Sequence, residues 1–398
     1  MFVALKGDNF NANDFAAEAL NKGAKYVVVD EAPESQNRSF IKVQDGLAAL
    51  QELATYHRKY LALPIIGLTG SNGKTTSKEL INAVLLKKFK TVATVGNLNN
   101  HIGVPLTLLS MDKSTELGIV EMGANHQKEI QFLSKIAQPD YGYITNFGKA
   151  HLEGFGSPEG VVKGKKELYD FLKENGKMLF LNIDDPLQKM ELNQEHTFSF
   201  GEDEGADVRL KYHMKDAFAG IEAEGVQIYG KLIGSYNARN MAAAYCIGRY
   251  FEVPAIDIQD ALENYVPQNN RSQIIERNGN QIILDAYNAN PTSMAAAVEN
   301  FSSMEKAPKM AFLGDMFELG ATSAEEHQQL VERLQTSNIE KIYIIGENFY
   351  RTEAGAGIKK FRNYEDFRSR FNPAEMQNSL VLIKGSRGMA LERILELI

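Results

Sequence analysis

The part of the sequence best suited to chemistry is a glycine-rich run that follows an apolar segment and ends in Gly-Lys-Thr-Thr. Its glycines would let backbone N–H groups converge on an anion, and the helical pattern that follows would aim a positive helix N-terminus at the same point. Lys74 would then reach the β- and γ-phosphates of a nucleotide, and the Thr75 hydroxyl would bind Mg²⁺. The residues predicted to contact the phosphates are Thr69, Gly70, Ser71, Asn72, Gly73, Lys74, Thr75 and Thr76.

One position departs from the general phosphate-loop pattern. The pattern has a glycine five residues before Gly73, whereas Leu68 stands there and the other glycines are Gly67 and Gly70. A plain glycine-rich turn is the alternative interpretation, but strand, glycines, Lys-Thr and helix occur in the expected order. We therefore interpret the run as a subtype of the phosphate loop.

Polar side chains follow three further apolar segments, 91–95, 118–122 and 141–145, which alternate with helical patterns and predict buried strands of a parallel sheet. Ligands bind outside the carboxyl ends of such strands, so Glu121 and His151 are expected near the phosphate loop. A carboxylate there could hold a metal ion bound to phosphates. Taken singly, a loop histidine is more often solvated, and asparagine-rich loops are often turns.

Two predicted helices carry further candidates. The segment 163–169 contains three lysines, a run that is usually a solvated face. A partly desolvated lysine with a lowered pKa can instead react with CO₂, and its carbamate can bind Mg²⁺. Asn237 and Asn240 lie three residues apart, so their amides could contact a base or ribose. Helix capping by Asn237 is the competing interpretation.

The amino-acid composition limits the classes of protein to which this chain can belong. At 398 residues with 44% hydrophobic content, the chain predicts two or three domains with sizeable cores. The net charge of −8 argues against general nucleic-acid binding. The single cysteine, Cys246, fits a reducing compartment, and its apolar neighbours predict a buried structural thiol. No apolar run approaches about twenty residues, so we expect neither a membrane span nor secretion.

Hydrophobic periodicity predicts three α/β units: residues 1–62, residues 63–266 around the parallel sheet, and residues 267–398 with a Rossmann-like sheet. A linker is expected at 265–271. Strands of the third unit are predicted at 281–285, 310–313, 341–345 and 380–383. Because the first strand begins at Phe2 without a preceding turn or cap, we expect the first unit to be incomplete.

Taken together, these segments resemble the Mur ligases, the ATP-dependent amide-bond-forming enzymes of bacterial cell-wall synthesis. Leu68 in the phosphate loop is that family's own form of the loop. The resemblance implies an N-terminal UDP-sugar-binding domain at 1–62, a central ATP-binding domain at 63–266 and a C-terminal domain at 267–398 that closes over the site. The motifs that carry it lie at 2–7, 69–76, 96–105, 121–124, 145–153, 285–291 and 314–316.

The resemblance also implies roles for single residues. Lys74 would contact the ATP phosphates, and Lys165 matches the lysine that these ligases carbamylate. Magnesium ions would be served by Thr75, Glu121, His151 and Lys165. Asn237 and Asn240 would lie near the adenine, and Arg271 and Asp285 would reach the nucleotide from the C-terminal domain. Substrate contacts are expected, with less support, at Asn97, Asn100, Asn146, Tyr287, Asn288, Asn290 and Ser293.

The implied reaction adds D-alanyl-D-alanine to UDP-N-acetylmuramoyl-tripeptide through an acyl phosphate. It would be carried out by a cytoplasmic monomer in peptidoglycan synthesis, on which cell shape and division depend, without nucleic-acid or membrane partners. Residues 287–291 favour the dipeptide-adding activity. Two alternatives stay open: a sister ligase that adds a single amino acid, or a folylpolyglutamate-synthetase-like relative; and a nucleotide-binding module impaired by N-terminal truncation.

Overall fold

The computed structural model describes residues 1–31, 37–267, 271–305 and 308–398. Within these residues the strands form sheets of nine, six, three and two strands, and the larger three are each accompanied by helices. The predicted α/β class is confirmed. Residues 268–270 of the predicted linker lie outside the described part. None of the described helices combines the length and the apolar character needed to cross a membrane.

The N-terminal unit is small. Its three-stranded parallel sheet has the order β1-β4-β5, and β2 and β3 form a separate antiparallel pair. Helix α2 starts after Asp45, whose side chain accepts a hydrogen bond from Ala48 N, and it ends at Leu61, three residues before Pro64. The elements are β1 (Phe2–Val3), β2 (Lys6–Gly7), β3 (Phe10–Asn11), α1 (Ala16–Asn21), β4 (Val27–Val29), β5 (Phe40–Lys42) and α2 (Gly46–Leu61).

The central unit is built on the nine-stranded sheet. Its strands are β6 (Ile65–Thr69), β7 (Thr91–Ala93), β8 (Leu117–Glu121), β9 (Tyr141–Ile144), β10 (Met178–Asn182), β11 (Thr197–Gly201), β12 (Val208–Lys215), β13 (Phe218–Ala223) and β14 (Val226–Ile233). Their order is β14-β13-β12-β11-β10-β9-β6-β8-β7. Neighbours from β12 to β7 are parallel, whereas β12, β13 and β14 form an antiparallel meander.

Helices cover both faces of this sheet. Ile66 of β6 lies in one core with Met241, and Ile65 lies in the other core with Leu168. This two-sided burial explains why β6 reads as a continuous apolar run. Cys246 is buried in the first core, as expected for a structural thiol. The helices are α3 (Lys74–Leu85), α4 (Gly103–Leu109), α5 (Glu129–Ala137), α6 (Leu152–Phe155), α7 (Pro158–Glu174), α8 (Pro186–Lys189), α9 (Tyr236–Tyr250) and α10 (Ala255–Asn264).

The C-terminal unit has a six-stranded sheet of order β15-β16-β20-β17-β18-β19, in which only the edge strand β15 is antiparallel to its neighbour. The expected Rossmann-like sheet is therefore present. Its elements are β15 (Gln273–Arg277), β16 (Asn280–Asp285), α11 (Pro291–Ser303), β17 (Lys309–Gly314), α12 (Ser323–Gln335), β18 (Lys341–Ile345), α13 (Glu347–Tyr350), β19 (Ile358–Phe361), α14 (Tyr364–Arg370) and β20 (Leu380–Lys384).

The predicted elements differ from the observed ones mainly at sheet edges. The strand expected over 91–95 ends at Ala93, and β5, β15 and β19 were not predicted. The three sheets span residues 2–42, 65–233 and 273–384, which supports the three-unit division. The boundaries at 62 and 266 stay a proposal.

Candidate active site

A cavity of about 1360 Å³ lies at the carboxyl ends of central strands such as β6, β8 and β9 and of strands β16 and β20 in the C-terminal unit. Its walls include most of the predicted site residues, drawn from both units. These are Ser71, Asn72, Gly73, Lys74, Thr75, Thr76, Asn97, Asn100, Glu121, Asn146, His151, Asn237, Asn240, Arg271, Asp285, Tyr287, Asn288, Asn290 and Ser293. Thr69, Gly70 and Lys165 do not line it.

The glycine-rich loop has the backbone shape that a phosphate cradle needs. Gly70 and Gly73 have φ values of 141° and 77°, a region that favours glycine. A Cβ atom at Gly70 would lie 1.9 Å from Oγ1 of Thr145, so a side chain there would clash. Ser71 N donates to the backbone oxygen of Asn146, and Asn72 N donates to Oδ1 of the same residue. The loop is thus fixed against the segment that follows β9.

Lys74 lies at the start of α3 and folds back over the loop. Its Nζ donates to the carbonyl oxygens of Gly70 at 2.7 Å and Ser71 at 3.3 Å. Burial lowers the pKa of Lys74, Glu121 opposes that shift, and Arg271 adds to it. An anionic phosphate is a stronger acceptor than a carbonyl, so a nucleotide could draw this ammonium off the loop.

Glu121 ends β8 with a carboxylate that is almost fully buried. Its Oε1 accepts a hydrogen bond of 2.8 Å from Asn99 Nδ2, but its Oε2 has no partner within the described residues. A buried carboxylate oxygen without a partner is costly, which suits a site completed by a cation. The described residues contain no group of three or more His, Cys, Asp or Glu placed to hold a metal. Mg²⁺ fits this arrangement because it commonly takes one or two carboxylates, waters and substrate phosphates.

His151 lies immediately before α6 with a φ of 53°. Its Nδ1 forms a hydrogen bond with the Glu318 carboxylate of the C-terminal unit. That hydrogen bond lowers the pKa of Glu318, against the opposing effect of burial. His151 is therefore held in place by the other unit, rather than being a freely solvated loop histidine.

Lys165 is buried inside the central unit, so the interpretation of its lysine run as a solvated face is wrong at this position. Its Nζ donates to the carbonyl oxygen of Ala124 at 3.1 Å and lies 5.0 Å from the centre of the Phe155 ring. Burial lowers the pKa of Lys165 well below its usual range, and the charge of Lys74 adds to the shift. The structure thus places Lys165 behind the cavity wall, where Ala124 is a lining residue.

Asn237 and Asn240 share one face of α9, as predicted from their spacing. Asn240 Nδ2 donates to Asn237 Oδ1 at 2.8 Å, and Asn237 Nδ2 donates to the carbonyl oxygen of Ile233 at 2.7 Å. The competing interpretation of Asn237 as a helix cap is wrong, because α9 begins after Ser235 without a side-chain capping bond.

Basic side chains of the C-terminal unit also line the cavity. The Arg271 guanidinium stacks 3.6 Å from the centre of the Tyr287 ring. Asp285 pairs with Lys384 at 2.6 Å and accepts a hydrogen bond from Ser272 N. The residue-by-residue prediction left out Lys384, as it did Asn99 and Glu318. All three lie in polar segments at the carboxyl edges of the sheets, a signal that identifies the segments but does not distinguish these side chains from their neighbours.

Several predicted substrate residues also hold the site together. Asn290 and Ser293 form a capping box at the start of α11, and Asn290 Nδ2 donates to Asn72 Oδ1 across the cavity at 2.6 Å. Asn100 Oδ1 accepts bonds from the backbone of the turn that leads to α4, which is the turn chemistry considered for this loop. Asn97 and Asn288 line the cavity as well.

Comparisons with known proteins agree with these features. The family model of the Mur ligase middle domain matches residues 68–248, and that of the Mur ligase, glutamate ligase domain matches residues 270–387. A UDP-N-acetylmuramoyl-tripeptide--D-alanyl-D-alanine ligase of Bacillus subtilis (strain 168) is 34% identical over 100% of this chain and 89% of its own length. The enzyme of the same name from Escherichia coli (strain K12) is 33% identical over 99% of this chain and 89% of its own length.

Solved structures give the same result. MurF from Acinetobacter baumannii superposes with a TM-score of 0.89 at 30% identity, covering 99% of this chain and 89% of that chain. MurF ligase from Thermotoga maritima in complex with ADP superposes with a TM-score of 0.85 at 30% identity, covering 100% of this chain and 93% of that chain.

Proposed function

The chain belongs to the Mur ligase family, and we propose that it adds D-alanyl-D-alanine to UDP-N-acetylmuramoyl-tripeptide in a reaction that converts ATP to ADP and phosphate. The observation that carries the proposal is the placement of the phosphate loop and the buried Glu121 in one cavity, opposite Arg271 and Lys384 of the other unit. Such a cavity can bring a nucleotide and a second anionic substrate together.

The chemistry requires activation of a carboxylate, which is a poor acyl donor. A carboxylate oxygen of the tripeptide attacks the γ-phosphorus of ATP, and ADP leaves with the electrons of the broken P–O bond. The amine of D-alanyl-D-alanine then attacks the acyl carbon of the acyl phosphate. The tetrahedral intermediate collapses with release of phosphate and of the amine proton, and the amide is formed.

The chain's own residues would offset the crowding of negative charge in the first step. Lys74 and the N-terminus of α3 face the phosphates from the central unit, and Arg271 faces them from the C-terminal unit. Asn237 and Asn240 contact the adenosine part. The wall formed by Tyr287, Asn288, Asn290 and Ser293 receives the dipeptide, while Asn97, Asn100 and Asn146 contact the other substrate.

Magnesium would be held by Thr75, Glu121 and His151, with the remaining ligands from phosphates and water. When bound, it neutralises charge on the transferring phosphoryl group. Lys165 is a further proposed ligand in carbamylated form. Its burial favours the neutral amine, which is the form that adds CO₂, and the resulting carbamate is an anion with two oxygens.

The acyl phosphate must be protected from water before the dipeptide attacks. We propose that contact between the two units provides this protection, as a cavity closed from both sides excludes solvent. Side-chain contacts already join the two units, among them Asn72 to Asn290, Tyr236 to Ser272, Lys149 to Glu326 and His151 to Glu318. The enzyme is further proposed to act as a monomer in the cytoplasm.

A purified-protein assay of ADP release tests the proposal. With ATP, Mg²⁺ and UDP-N-acetylmuramoyl-tripeptide, ADP release should depend on added D-alanyl-D-alanine and should stay at background with single amino acids. Release that follows a single amino acid instead of the dipeptide would assign the protein to a sister activity. ATP binding without any amide formation, even at high UDP-tripeptide, would favour the nucleotide-binding module.

A further inference from the structure

Two residues with left-handed backbone conformations meet at the boundary between the central and C-terminal units. His151 has a φ of 53° and Glu318 has a φ of 61°, and neither is a glycine. Their side chains form a hydrogen bond through Nδ1 of the imidazole, and Glu153 N donates to the carbonyl oxygen of Glu318 at 3.2 Å. Left-handed conformations of non-glycine residues are strained and cluster at functional sites, so the contact calls for an explanation.

The loop that carries Glu318 is fixed from several sides. Asp315 accepts hydrogen bonds of 2.9 Å from Asn348 N and Phe349 N, and Met316 N donates to Nε2 of His327 at 3.0 Å. Phe317 N donates to the hydroxyl oxygen of Ser386 at 3.0 Å. Glu318 is therefore presented to His151 by a rigid loop of the C-terminal unit.

We propose that Glu318 is a positioning residue for His151, and that it completes the magnesium site only when the two units are in contact. The proposal rests on the proposed function, in which His151 serves the metal. A carboxylate can only accept a hydrogen bond, so Nδ1 of His151 must carry the proton. In the neutral imidazole this leaves the lone pair on Nε2, which makes no hydrogen bond to the described residues and is available to a metal.

Two observations favour this role over a simple tether. Metal-binding histidines commonly donate their second ring N–H to a carboxylate, which fixes the ring and its tautomer. In addition, Glu318 retains 52% exposure while His151 retains only 18%, so the imidazole is the buried, oriented member of the pair. Because the carboxylate and the histidine come from different units, magnesium affinity becomes coupled to their approach.

The test uses Mn²⁺ as the probe, with its affinity for the full chain and a non-hydrolysable ATP analogue measured by electron paramagnetic resonance. Glu318→Ala should weaken Mn²⁺ binding by about tenfold or more, and Glu318→Gln, which keeps an acceptor, by less. Glu326→Gln is the matched control, because the Lys149–Glu326 ion pair of 2.7 Å joins the same loop to the same unit without touching His151.

A second readout needs no metal. Ring ¹⁵N shifts, assigned among the seven histidines by comparison with His151→Ala, should report an Nδ1–H tautomer in the wild type and a tautomer mixture in Glu318→Ala. Equal weakening of Mn²⁺ binding in Glu318→Ala and Glu326→Gln would overturn the positioning role. The role would also be overturned if Glu318→Ala bound Mn²⁺ with wild-type affinity while His151→Ala bound it weakly. If His151→Ala itself binds Mn²⁺ like the wild type, the metal role of His151 in the proposed function fails as well.

Discussion

At the scale of single residues, the site contains charged groups that protein interiors seldom accept. Glu121 is 1% exposed and has an oxygen without a partner in the described part of the chain, and Lys165 is completely buried. Desolvation of such groups costs free energy unless a charge or a hydrogen bond compensates it. A cation beside Glu121 would supply that compensation, and the neutral amine that burial favours at Lys165 avoids the cost of a buried cation.

The carbamate gives the first prediction. In ¹³C-bicarbonate the wild type should show a carbamate carbonyl resonance that Lys165→Met lacks, because burial lowers the pKa of Lys165 and so favours the neutral, reactive amine. Lys165→Met should also lower kcat by roughly 10²-fold, as expected for loss of an electrostatic group at a phosphoryl-transfer site. Lys163→Met, on the exposed face of the same helix, is the control and should keep both the resonance and the rate. Normal turnover in Lys165→Met would remove the carbamate from the mechanism.

At the scale of elements, the strands could be predicted where both faces are buried. The apolar runs of β6, β9 and β18 identified them to within a residue because helices cover both sides of their sheets. The edge strands β15 and β19 were not predicted, since Gln273, Glu276 and Lys359 interrupt their apolar pattern. Asn278 and Gly279 do join β15 to β16 as a two-residue hairpin, a turn signal that was present in the sequence and was not used.

The site residues follow the same division. Residues at the carboxyl ends of strands, such as Glu121 and Asp285, could be located because topology alone brings strand ends together. The hydrogen-bond partners of the site residues could not be located from the sequence. The contacts of Asn72 with Asn290 and of His151 with Glu318 join side chains more than a hundred residues apart, so they depend on how the two units pack.

Asn290 is the N-cap of helix α11 and also contacts Asn72, and these two roles can be separated by mutation. Asn290→Ala should lower the free energy of unfolding by about 1 kcal/mol, because it removes the cap. Asn290→Ser keeps a capping hydroxyl but is too short to donate to Asn72, so it should unfold like the wild type while ADP release falls. Chemical denaturation and the ADP assay check the two effects. Wild-type ADP release in Asn290→Ser would show that the bond to Asn72 has no part in the reaction.

Helix α12 supplies a pH-sensitive contact to the loop that carries Glu318. Burial lowers the pKa of His327 below 6.5, and Nε2 must be unprotonated to accept from Met316 N. Below pH 6.5 this histidine therefore takes up a proton in the unfolded chain but not yet in the folded chain. The free energy of unfolding falls as the pH falls, until the pKa of His327 in the folded chain is passed.

The matching variant is His327→Gln, which does not titrate. At pH 8 it should be less stable than the wild type by about 1–3 kcal/mol, because a buried hydrogen bond is disturbed. The difference should shrink as the pH is lowered through 6.5, since only the wild type loses stability from this group. Urea unfolding at several pH values measures it, and a difference that stays constant or grows on acidification would contradict the assignment.

At the scale of the whole molecule, an acidic chain of net charge −8 gathers anionic substrates between two of its units. The attraction is local: Lys74 and Arg271 contribute from opposite walls of the cavity. A nucleotide that contacts both walls is linked to the stability of both units, because anything that binds only the assembled site favours that arrangement.

Hydrogen exchange checks this coupling. Addition of a non-hydrolysable ATP analogue with Mg²⁺ should slow exchange both in residues 69–76 and in residues 285–293, which lie in different units. Lys74→Ala should reduce the protection in both segments together. Protection confined to residues 69–76 would mean that the nucleotide contacts the central unit alone and that Arg271 and Asp285 are not nucleotide contacts.

In the proposed reaction, the γ-phosphoryl group of ATP is transferred to a substrate carboxylate in the cavity. The most direct measurement uses UDP-N-acetylmuramoyl-tripeptide labelled with ¹⁸O in its reacting carboxylate, together with ATP and D-alanyl-D-alanine. Since the acyl phosphate forms through a carboxylate oxygen and loses phosphate at the acyl carbon, one ¹⁸O atom should appear in the released inorganic phosphate for each amide formed. Amide formation with unlabelled phosphate, or with the label in AMP, would contradict the claim.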